Sequence, residues 1–127
     1  MQHRDYITIR KIIKEIEVGA ELVGEATEEE FLSNEMMKRA VAMTVINVGE
    51  LIKVITPEMR LAHKEVPWKQ AAGLRDITAH RYQTLRMEDV YSTLKIDFPS
   101  IREMLEKILV EETEEYCNQT DEKGDVK

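Results

Sequence analysis

The chain has 127 residues, a formal net charge of -7, 43% hydrophobic residues and 34% charged residues. That length fits one domain with a single core. No apolar run approaches the roughly 18 residues that a membrane span needs, and one cysteine, Cys117, cannot form an intramolecular disulfide.

From Arg4 to Val23 the apolar positions Tyr6, Ile9, Ile13, Ile16, Ala20 and Val23 step by three and four, which predicts an amphipathic helix. Gly24 lets the chain break, and Thr27 with Glu30 reads as a capping box opening a short helix, Glu28 to Leu32. Asn34 is placed to cap a helix from Glu35 to Ile55, with a stripe of Met37, Val41, Thr44, Val48, Leu51 and Ile55. Ala40, Met43, Val45 and Ile52 widen that face, so this helix is expected at the centre of the fold. The methionines Met36, Met37 and Met43 read as core or dimer packing.

Thr56-Pro57 starts a short turn or helix, with Pro at the first helical position. Pro67 does the same for a helix from Trp68 to about Ala79, with Trp68 plugging the core, and His80 to Arg86 reads as a polar connector. The last helix begins near Met87 and carries Val90, Leu94, Phe98, Ile101, Leu105 and Ile108. Pro99 lies inside it, which predicts a kink or break near Asp97. After Thr113 the apolar periodicity ends. The expected organisation is an all-α, up-and-down bundle of four or five helices over residues 1–113, followed by an acidic, disordered tail at 114–127. Met1 to Lys14 has no apolar signal-peptide core, so a cytoplasmic location without membrane attachment is expected.

The acidic total argues at first against a nucleic-acid partner, but the charge is unevenly spread. Residues Glu15 to Glu30 hold seven acids and no base, and Glu111 to Lys127 hold seven acids and two lysines. Between Arg60 and Arg86 the sign reverses: Arg60, Lys64, Lys69, Arg75, Arg81 and Arg86 face Glu65 and Asp76, a net of +4, with His63 and His80 alongside. Such a window is either ordinary variation along a solvated surface or a basic face on an acidic protein, able to meet phosphate.

Three scattered histidines and the lack of HExxH or CxxC spacing predict no metal site, and no glycine-rich phosphate loop or GxSxG elbow is present. No cofactor is expected. What remains is Arg75-Asp76-Ile77-Thr78-Ala79-His80-Arg81-Tyr82, in the basic window at the end of a predicted helix. An Arg and a His about one and a half turns apart can both reach one phosphate held across a helix end.

The block from Pro67 to Tyr82 resembles the signature region of the HepT-like HEPN proteins, the toxin half of HEPN/MNT toxin–antitoxin pairs. Arg75, Asp76, His80 and Tyr82 fill that motif in order, and Val48-Gly49-Glu50 is similar to the family's apolar-Gly-Glu segment. The likeness spans Arg4 to Leu109. It departs where the family often continues with a Phe-Gly-Val-Asp type connector, since this chain has Gln83-Thr84-Leu85-Arg86. The connector's shape stays open, while the motif residues are unaffected.

The resemblance implies a HEPN-like bundle and a metal-independent endoribonuclease acting on RNA, with tRNA a candidate. It implies a homodimer that joins two Arg/His pairs in one cleft. It also implies a nucleotidyltransferase (MNT-type) antitoxin partner, which in the best-known cases adds AMP to the motif tyrosine; Tyr82 matches that residue. Arg75 and His80 would be catalytic. Asp76 would orient either of them or serve only as a helix-end residue. Tyr82 would be the modification site or an RNA contact, and Glu50 has no assigned role. The alternative is a non-catalytic HEPN-like binding module that pairs with a nucleotidyltransferase-like partner.

Overall fold

The computed structural model of the chain describes residues 1–73 and 84–122, with side chains through Glu112. Its elements are α1 (His3–Val23), α2 (Glu28–Leu32), α3 (Glu35–Val54), α4 (Pro57–Ala62), α5 (Trp68–Ala72), α6 (Met87–Ser92), a π-helical turn (Thr93–Asp97) and α7 (Phe98–Glu122). The fold is an all-α bundle, and no strand occurs among the described residues. Among them, no helix is long and apolar enough to cross a membrane.

Local chemistry sets most of the boundaries. Gly24 ends α1 at φ 55°, where its N–H bonds the Ala20 carbonyl, a backbone region that glycine enters without a side-chain clash. The capping box opening α2 is complete: the Glu30 N–H donates to Thr27 Oγ1 at 3.1 Å and the Thr27 N–H to Glu30 Oε1 at 2.8 Å. Asn34 Oδ1 accepts from the Met37 N–H at 2.9 Å to start α3. Thr56 caps α4, with Pro57 in its first turn.

The core runs through Ile9, Ile12 and Ile16 of α1, Val41, Val45, Val48 and Ile52 of α3, and Leu94, Phe98, Leu105 and Ile108 of the last helical stretch. The α1 stripe is rotated slightly from the predicted one, with Ile12 buried and Ile13 only partly so. Trp68 is buried as expected. Met43 does not belong to the core: it is 56% exposed, and Met36 is 82% exposed, because both lie on the side of α3 turned away from α1. Helices α1 and α3 make the most extensive contact. They run antiparallel, with Arg4 Nη2 bonding the Val54 carbonyl and Asn47 Nδ2 bonding Glu15 Oε1. Gly19 permits their close approach: a Cβ there would lie 2.7 Å from Leu94 Cδ1 and 3.1 Å from Thr44 Cγ2.

Pro99 does not break the last helix. The chain widens into the π turn, in which the Phe98 N–H bonds the Thr93 carbonyl five residues back. This accommodates the missing proline N–H and the bulk of its ring without ending the helix. Helix α7 continues through Glu122, into the segment 114–127 for which charge and lost periodicity predict disorder.

Candidate functional site

Arg75, Asp76, His80 and Tyr82 all lie in 74–83, outside the described residues, as does the predicted continuation of the Trp68 helix to Ala79. The structure describes the elements that flank that segment. On the near side, α5 packs on α3. Trp68 and Ala71 are buried, and the Trp68 indole N–H donates to the His63 carbonyl at 2.8 Å. On the far side, Leu85 and Met87 pack against the core and Val90 is buried. The Tyr91 hydroxyl donates to the Ala26 carbonyl at 2.8 Å, and its ring sits 5.2 Å from that of Phe31. The described flanks on either side of 74–83 therefore pack on one hydrophobic core.

The basic window divides into inward and outward charges. Arg60 Nη2 donates to the carbonyls of Ile52 at 2.9 Å and Lys53 at 3.1 Å. With Arg4, it caps the C-terminal end of α3, where a cation meets the negative end of the helix dipole. His63 is 7% exposed and faces Glu112 and Glu65. Neither residue is available to a phosphate. Lys64 and Lys69 face solvent, and Arg86 is also exposed, with its side chain 4.0 Å from Glu88. The +4 of the sequence window thus overstates the positive surface.

Between α5 and the start of α7 lies a groove of about 320 Å³, with Gln70, Thr93, Asp97 and Ser100 around an apolar floor of Phe98, Ile101 and Met104. Its α5 wall leads directly into 74–83. Gly49 is buried within α3 and Glu50 points outward, lining a surface hollow with Lys11, Lys14 and Asn47. Among the described residues, no group of three His, Cys, Asp or Glu could hold a metal ion.

Asp5, which the sequence reading passed over, is a main polar contact of the interior. At 1% exposure, its Oδ1 accepts from the Thr56 N–H at 3.0 Å and its Oδ2 from the Thr56 hydroxyl at 2.5 Å. Thr56 Oγ1 in turn accepts from the Met59 N–H at 3.3 Å. The available signal was position: Asp5 falls four residues before Ile9, on the buried stripe of α1.

A helical bundle whose sequence carries an Arg-Asp-x-x-x-His-x-Tyr series between α5 and α6 marks a candidate protein of the HEPN type. The family model for Ribonuclease HepT-like proteins matches residues 9–108, and the chain belongs to that HepT-like ribonuclease family. A protein of Thermococcus cleftensis named probable ribonuclease HepT is 31% identical over 106 residues, covering 84% of this chain and 94% of that one. A Caldanaerobacter subterraneus protein provisionally named an RNase is 29% identical over 82% of this chain and 93% of its own. A Methanocaldococcus jannaschii protein, named a gamma-glutamylcyclotransferase and provisionally an RNase, is 30% identical over 83% of this chain. The chain spans about half of that longer relative, 47% of its length. No solved structure matches the chain.

Proposed function

We propose that the chain is a metal-independent endoribonuclease toxin of a HEPN/MNT toxin–antitoxin pair, cleaving RNA with Arg75 and His80. The observation that carries this reading is the Arg75-Asp76-x-x-x-His80-x-Tyr82 series lying inside the family match at 9–108. The flanking residues Trp68, Ala71, Leu85 and Met87 pack on the core, so the series is carried between two ordered elements of the bundle.

In the reaction, the ribose 2′-hydroxyl attacks the adjacent phosphorus. The new O2′–P bond forms, the P–O5′ bond breaks, and one proton leaves O2′ while another reaches O5′. His80 serves as general base or acid in these transfers. Arg75 stays charged and holds two phosphate oxygens as negative charge builds. Asp76 orients one of the pair. Two copies of the chain face their Arg/His pairs across one cleft, and the exposed Met36 and Met43 of α3 provide apolar surface for that homodimer. The partner that restrains the toxin is an MNT-type nucleotidyltransferase. AMP transferred to Tyr82 would add negative charge and bulk beside the cleft and repel RNA.

The test is cleavage of bulk RNA and tRNA by the purified chain in excess chelator. The wild type cleaves, while Arg75→Ala and His80→Ala lose cleavage and growth arrest at unchanged melting temperature. Undiminished cleavage in both variants would overturn the catalytic assignment. A wild-type chain that never cleaves, yet binds a nucleotidyltransferase stoichiometrically, would establish a binding module instead.

A further inference from the structure

We propose that His63 is a protonation-dependent clamp, tying the last helix to the connector that launches α5. The inference goes beyond the ribonuclease reading and does not depend on it.

His63 joins three elements. Its N–H bonds the Met59 carbonyl and closes α4, and its own carbonyl accepts the Trp68 indole N–H at 2.8 Å, fixing the first residue of α5. Its ring, with the side chain only 9% exposed, reaches α7: Nε2 lies 3.2 Å from Glu112 Oε2. On the opposite side of the ring, Nδ1 lies 3.5 Å from Glu65 Oε2. Both nitrogens therefore face carboxylates. A neutral imidazole has one N–H and one lone pair, so it can donate to only one of them and turns its lone pair toward the other. The imidazolium donates to Glu112 and pairs with Glu65 at once.

The surrounding charges among the described residues are these. The Met1 amine sits 3.2 Å from the other Glu112 oxygen, Oε1. Glu58 of α4 lines the same cavity as Glu112, and Asp5, which also lines it, is already engaged by Thr56. Lys64, next in sequence, is exposed. Burial raises the Glu112 carboxyl, but hydrogen bonds and charge from the amine and from His63 outweigh it and hold the group below its ordinary value. Glu112 thus stays ionised to below the ordinary carboxylate range.

The sign follows. With the ring protonated both carboxylates meet an N–H, and with it neutral only one does, so acidic solution favours the clamp. At the acid end, the contribution of Glu112 is present above the ordinary carboxylate range. It disappears only as pH falls through its lowered value.

The experiment is thermal unfolding of the full chain at about pH 5.5 and about pH 8 for wild type, His63→Gln and Glu112→Gln. The wild type melts higher at the acidic value by about 3–6 °C relative to the shift in His63→Gln, and Glu112→Gln loses most of that difference. An equal pH shift in wild type and His63→Gln would overturn the clamp. Should His63→Gln fail to fold, Glu65→Gln, altered at an exposed side chain, decides: the wild-type difference between the two pH values shrinks if both carboxylates hold the ring, and is unchanged if they do not.

Discussion

The junction of α1 with α4 and the stretch from α5 to α6 use polar side chains in opposite ways. At the junction, Asp5 is consumed by Thr56 and Arg60 by the carbonyls ending α3. Both of these buried or half-buried charges are taken up by backbone and side-chain groups of the fold. Along α5 the apolar residues Trp68 and Ala71 hold the helix down, while Lys69 and Gln70 face out. The polar series of 74–83 follows directly. The first region spends its polar groups on the fold. The second is held at its described flanks mainly by apolar anchors, and the proposed catalytic series falls between them. Charge counted along a sequence window merges the two uses, and only the partners separate them.

That contrast can be broken at either end. The largest effect is expected from His80→Ala or Arg75→Ala. Each should slow RNA cleavage by about 10²–10⁴-fold, the usual contribution of a positioned proton-transfer or charge-stabilising group, with little change in melting temperature. Asp5→Ala should do the reverse. It strands the Thr56 N–H in the interior and lowers stability by about 3 kcal/mol in denaturant unfolding, while leaving cleavage intact below the melting temperature.

Gly19→Val probes the apolar side of the same framework. The new side chain must displace Leu94 and Thr44, a cost of about 2 kcal/mol from overpacking, read as an earlier unfolding midpoint. Thr27→Ala removes the capping-box acceptor of a short peripheral helix. It should cost about 1 kcal/mol, measured the same way, without effect on RNA cleavage.

The helices and their starts were legible because they rest on neighbours within four residues: Thr27 with Glu30, Asn34 with Met37, Pro57 at the start of α4. The all-α class and the family followed from periodicity and from the 75–82 series. Three features were not legible in this way. Asp5 and Thr56 meet across 51 positions of chain, and no local pattern pairs them, although an acid on an apolar stripe marks Asp5 as unusual. Pro99 announced a disturbance, but whether the helix breaks or widens depends on the packing of Leu94 and Phe98 around it. Met43 fitted a broad apolar face by spacing alone, and its exposure follows from where α1 and α5 lie on α3.

The most direct test of this division of labour measures two quantities on two variants: RNA cleavage in excess chelator and melting temperature, for His80→Ala and Asp5→Ala. The account predicts that His80→Ala keeps its melting temperature and loses cleavage, while Asp5→Ala loses stability and keeps cleavage at temperatures where it is folded. Cleavage that survives in His80→Ala, or is abolished in folded Asp5→Ala, would contradict it.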